Sequence, residues 1–133
     1  VPEVGLVVVG GLNDDNERLS TAELLTGGGG SSSTEDNGDV NWSWRQLPAM
    51  LWDRKWPAVA HFGGHVVVAG GTDDDDIVVE SLRLPAGDSG PGQWMQISRL
   101  DGYIGWSPSL ALYNGRLLLL GRTPLCGGDT NTD

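Results

Sequence analysis

A short valine- and leucine-rich run that stops on glycine recurs along this chain, and the recurrence constrains the fold more than any other feature. Val4 to Val9 ends at Gly10-Gly11, His65 to Ala69 ends at Gly70-Gly71, and Arg116 to Leu120 ends at Gly121-Arg122, where the second glycine is missing. The first two runs lead into polar turns, Asn13 to Glu17 in one copy and Thr72 with Asp73 to Asp76 in the other. Short apolar runs bounded by glycine and acidic residues are strands joined by tight turns, because glycine reaches the positive-φ backbone that a sharp reversal needs. Only Asn16 to Leu25, with Arg18, Leu19, Ala22, Leu24 and Leu25, has a competing helical composition.

Three more markers keep the same order. Trp44, Leu47 and Met50 stand three apart, and Trp94, Ile97 and Leu100 repeat those intervals 50 residues later. Glu-x-Leu occurs at Glu23 to Leu25 and again at Glu80 to Leu82, while Phe62-Gly63-Gly64-His65 and Tyr113-Asn114-Gly115-Arg116 each place a two-residue hairpin turn after an aromatic residue. The glycine markers are 60 and then 51 residues apart. The first spacing is longer because residues 26–41 hold four consecutive glycines, three serines and several acids, a composition expected to form a flexible insert. A period near 50 residues outranks local propensity and predicts a radial β-repeat, so the Asn16 to Leu25 stretch is read as containing a strand. The expectation is an all-β chain of about nine strands over residues 1–122, in repeat units 4–50, 54–100 and 103–122, with a disordered tail at 123–133. The units supply three, four and two strands, leaving open strand edges for further units or self-association to cover.

The ordered set of strand, Gly-Gly, Glu, Trp-x-x-Leu-x-x-Met, Arg54 and a second hairpin resembles the kelch repeat, one four-stranded antiparallel blade of a β-propeller. The resemblance spans Gly5 to Arg122 and marks a divergent, partial member of about two to two and a half blades. Leu25 and Leu82 replace the usual tyrosine, and Ile104-Gly105 stand where an arginine matching Arg54 is expected. It implies that Gly10, Gly11, Glu23, Trp44, Gly70, Gly71, Glu80, Trp94 and Gly121 are structural, with Trp44 and Trp94 buried between blades. It also implies a scaffold or adaptor that presents inter-strand loops to a partner protein. The alternative it carries is a fragment of a propeller-fold enzyme, of copper radical oxidase or sugar-acid isomerase type, with catalytic residues in blades outside this chain.

Composition narrows the function further. Eighteen acidic against eight basic residues give a formal charge of −10, which repels phosphate backbones and anionic lipid, so neither nucleic acid nor a membrane surface is an expected partner. The single cysteine, Cys126, cannot form an internal disulfide, and no leader segment is visible, so a cytoplasmic location is expected. No residue set reads as catalytic, cofactor-binding or metal-binding. The run Asp73 to Asp76 lacks calcium-loop spacing and reads as a solvated turn, and His61 and His65 straddle a hairpin without companion ligands. Ser32 and Ser33 precede Glu35 and Asp36 in an acid-directed phosphorylation pattern, and Asn41-Trp42-Ser43 fits the N-glycosylation triplet. Trp52, Arg54 and Trp56, in the connection between the first two units, are the candidate partner-binding residues, since aromatics with arginine dominate interfaces. Trp106 stands in a similar connection.

Overall fold

A computed structural model of the chain describes residues 5–27, 41–84, 90, 92–102 and 107–121. Residues 28–40 of the insert expected at 26–41, the tail at 123–133, Trp106, Cys126 and the serine cluster lie outside the described residues, while Thr26 and Gly27 belong to a strand rather than to the insert. The described chain is all-β, with nine strands and no helix: β1 Leu6–Val9, β2 Ala22–Gly27, β3 Trp42–Leu47, β4 Ala58–Phe62, β5 His65–Ala69, β6 Ile77–Arg83, β7 Met95–Leu100, β8 Ser109–Tyr113 and β9 Arg116–Leu120. Neighbouring strands are hydrogen-bonded antiparallel in three sheets, β1-β2-β3, β4-β5-β6-β7 and β8-β9. The three, four and two strands read from the repeat are thus present, and Asn16 to Leu25 contributes a strand rather than a helix.

The hairpins form where glycine and asparagine allow positive φ. Gly63 and Gly64 turn β4 into β5, and Asn114 and Gly115 turn β8 into β9, all four with φ between 48° and 78°. The registers Phe62↔His65 and Tyr113↔Arg116 follow from those two-residue turns. In the longer β1–β2 connection, Asn13 Oδ1 accepts the amides of Asp15 at 3.0 Å and Glu17 at 2.8 Å, an Asx turn that replaces lost ladder bonds.

The sheets stack face to face. Alternation puts Val66, Val68 and Leu82 on one face of the middle sheet, against Ala22, Leu24 and Leu47 of the first. Val67, Ala69 and Val79 point the other way and meet Leu110, Leu117 and Leu119 of the third. The middle sheet is therefore covered on both faces, and β6 is buried at six consecutive positions, Ile77 to Leu82. Described residues cover the outer two sheets on one face only, and β1 and β9 alternate between exposed and half-buried residues.

Equivalent repeat residues consequently meet different surroundings. Trp94 is 4% exposed and its indole N–H donates to the Pro48 carbonyl at 2.7 Å, as expected of an aromatic filling the gap between sheets. Trp44 is 56% exposed, contrary to the expected burial, because it lies on the face of the first sheet that no described residue covers. The outer strand of the middle sheet also begins later than the marker suggests, at Met95, leaving Trp94 just before it.

Candidate functional site

The connection from β3 to β4 joins the first two sheets and carries all three residues expected to face a partner. Arg54 does not face one; its side chain is fully buried. Its backbone belongs to the first sheet's turn, where the amide donates to Leu19 O at 2.9 Å and the carbonyl accepts from Gly11 N at 2.8 Å. Its guanidinium belongs to the middle sheet: Nε donates to Glu80 Oε1 at 3.1 Å, and Nη1 donates to the carbonyls of Gly70 at 2.8 Å and Val78 at 2.9 Å. The second oxygen of Glu80 accepts the Leu51 amide at 2.9 Å. A register shift in the β6–β7 ladder falls between Val79 and Glu80, a feature that re-aims a side chain within a sheet. Burial pulls the Arg54 guanidinium below its ordinary value, and the charge and hydrogen bond of Glu80 oppose that pull. The pair fastens one sheet to the next, and its geometry leaves no surface for a partner's carboxylate.

The glycine pairs serve the same junction. A Cβ on Gly10, where φ is +63°, would lie 2.5 Å from the Arg54 carbonyl oxygen, and one on Gly71, where φ is +76°, would run into the Lys55 carbonyl oxygen. Lys55 N–H donates to Gly71 O at 2.9 Å. Glycine is required at these points because another backbone crosses there.

Beyond Arg54 the connection emerges at the surface. Trp52 is half-buried, whereas Trp56 is 56% exposed and has φ of 46°, a conformation costly for a bulky residue. Ser107 repeats this, with φ of 54° directly before Pro108 and β8, as Trp56 stands directly before Pro57 and β4. Trp56, Lys55, Arg18, the acidic turn Asp73 to Asp76, Ser107 and Pro108 line a cleft of about 230 Å³. The Lys55 ammonium lies 5.3 Å from the centroid of the Trp56 ring, a cation–π contact.

The acids of the turn are organised rather than merely solvated. Arg18 pairs with Asp73, and Arg99 reaches Asp74 at 2.6 Å and Asp76 at 2.8 Å. Asp74 Oδ1 also accepts the Asp76 amide at 3.0 Å; that bond first, and Arg99 after it, hold the Asp74 carboxyl below its ordinary value. The Asp76 hydrogen bond leads the causes that raise Arg99. Sequence reading singled out Trp56 and the acid run but missed Arg18, Lys55 and Arg99: Arg18 reaches Asp73 only through the stacking of the first sheet on the middle one, and Arg99 reaches Asp74 and Asp76 through the pairing of β7 with β6. The signal for the Arg54–Glu80 pair was present, since a glutamate set among the apolar residues of Ile77 to Leu82 needs a cation beside it once that run is buried.

Among the described residues, no three of His, Cys, Asp and Glu converge to hold a metal ion, and no helix is long and apolar enough to cross a membrane. No family model matches the chain, and no curated protein matches it. The kelch resemblance therefore rests on the repeat markers themselves.

Proposed function

We propose that the chain is an arc of a kelch-type β-propeller working as a protein-interaction scaffold, and that its partner is taken at the cleft beside Trp56. The observation that carries this reading is the Trp56 side chain, more than half exposed on a left-handed backbone at the cleft rim. Strained backbone of this kind costs about 1–3 kcal/mol and persists where surroundings or function require it, and an exposed indole contributes little to the core in return. Aromatic side chains beside charged groups are the anchors of protein interfaces.

The cleft also sets the chemistry of the partner. Arg18 and Arg99 already pair with three of its four aspartates, so the draw on a basic segment comes from the formal charge of −10 over the whole chain, while the indole accepts an apolar or cationic side chain. Arg54 acts as a positioning residue, holding Lys55 and Trp56 where the connection leaves the junction. A cytoplasmic setting accompanies this reading, one cysteine offering no internal disulfide framework.

Affinity capture with the wild-type chain and with Trp56→Ala as baits, followed by titration of the captured protein, tests the proposal. The variant should fold normally and bind about 30-fold more weakly, the loss expected when an interface anchor is truncated. A Trp56→Ala chain that keeps every partner would remove the cleft from the reading. Turnover of a sugar or copper-dependent oxidation by the purified chain would replace scaffold with enzyme.

A further inference from the structure

The two outermost sheet faces are of opposite kinds, and those are the kinds that meet inside the chain. Aligned on Gly10, Gly70 and Gly121, the residues Leu6 and Val8 of β1 correspond to Val66 and Val68 of β5 and to Leu117 and Leu119 of β9. In the middle and third sheets this upstream-facing set is packed against the preceding sheet. In the first sheet it is bare, with Leu6 55% and Val8 44% exposed. The registers extend the bare face into Leu6–Leu25–Trp44 and Val8–Glu23–Gln46 rows.

The downstream-facing set behaves conversely. Val7 and Val9 of β1 cover the middle sheet, and Val67 and Ala69 of β5 meet the third, but the corresponding Leu118 and Leu120 of β9 are 41% and 53% exposed. Twice within the chain a downstream face packs on an upstream face, and one of each is left over.

We infer that the upstream face of the first sheet takes the downstream face of the third sheet of a second copy, so that copies associate head to tail. Charge favours this arrangement over a symmetric one. Glu23 lies on the upstream face, and Arg116, in the Tyr113↔Arg116 row, lies on the downstream face. Stacking unlike faces puts opposite charges at one junction, whereas joining two upstream faces sets Glu23 against its own copy. The contact is heterologous, so it leaves a free face at each end of any open assembly and propagates until a ring closes.

Size-exclusion chromatography with light scattering across a range of concentrations reads the association directly. The wild-type mass should rise above 14.1 kDa with concentration. Val8→Glu blocks the upstream face and Leu118→Glu the downstream face; each variant alone should remain at the monomer mass, and an equimolar mixture should form a single heterodimer through the two intact faces. Both side chains point outward, and far-UV circular dichroism checks the fold. Leu6→Gln and Leu120→Gln serve the same purpose should either glutamate disrupt its sheet. A wild-type chain that stays at 14.1 kDa at every concentration, single variants that associate as the wild type does, or blocked variants that fail to combine would each overturn the inference. None of these results bears on Trp56, which lies on neither end face.

Discussion

The first and middle sheets are built from the same repeat, yet equivalent residues do opposite work in them. Val66, Glu80 and Trp94 of the middle unit are at most 4% exposed, while Leu6 and Trp44 of the first are more than half exposed and Glu23 faces solvent. Residue type is held almost constant between the two sets, so the difference comes from what lies opposite. The middle sheet has the first sheet against this face and a linker arginine to meet its glutamate; the first sheet has no described residue there. A side chain's contribution is thus set by the layer across from it, and the apolar effect is realised only when water is removed from both surfaces.

The sharpest way to break this comparison is at the two glutamates. Arg54→Leu leaves Glu80 buried without its cation, and leaves the Gly70 and Val78 carbonyls facing an apolar neighbour; the expected loss is about 3–5 kcal/mol, read as a lower urea midpoint at unchanged slope. Replacing both partners, Arg54→Leu with Glu80→Met, should recover much of that loss, because the penalty lies in the orphaned charge. Glu23→Gln in the dilute chain should stay within about 0.5 kcal/mol of wild type. Equal costs at Glu23 and Glu80 would mean that the two faces are equally covered.

The tryptophans give the next largest contrast. Trp94→Ala empties a packed site and strips a hydrogen bond from the Pro48 carbonyl, which should cost about 3–5 kcal/mol, whereas Trp44→Ala should cost about 0.5 kcal/mol. Quenching of indole fluorescence by a soluble quencher checks the same point, since the Trp44→Ala variant should lose a quenchable component and the Trp94→Ala variant a shielded one.

The smallest effect distinguishes the two turns. In the first unit a neutral Asn13 organises the β1–β2 connection, while in the middle unit Asp74 and Asp76 are held by Arg99. The folded Asp74 carboxyl titrates below its ordinary 3.8, so its contribution is present above that value and is lost as pH falls through the depressed one. Thermal melts in acid should therefore show a small loss of stability below pH 3.8 that Asp74→Asn removes. An Asn13→Ser variant, altered in the uncharged turn, should keep the wild-type acid profile.

Much of the fold was legible because the repeat is written in short-range chemistry. Glycine and asparagine mark the hairpins, β-branched and leucine runs mark the strands, and their order groups nine strands into three sheets without reference to any distant contact. The acid run and Trp56 were legible as surface features for the same reason. Arg54 was misread because a charged residue between two tryptophans in a connection looks solvent-facing, and its partner Glu80 lies 26 residues away in another sheet.

The sequence by itself determined strand identity, pairing order and turn placement, since each follows from φ preferences and side-chain alternation within a few residues. The tertiary stacking decided which copy of each marker is buried. Burial depends on the facing layer, and a repeated sequence writes the same residues whether or not that layer is there. Stacking also decided that Arg54 closes the junction, that Arg18 reaches Asp73, and that Lys55 and Trp56 line one cleft with the aspartates. Those contacts are electrostatic and steric matches between segments that only the packed sheets bring within reach.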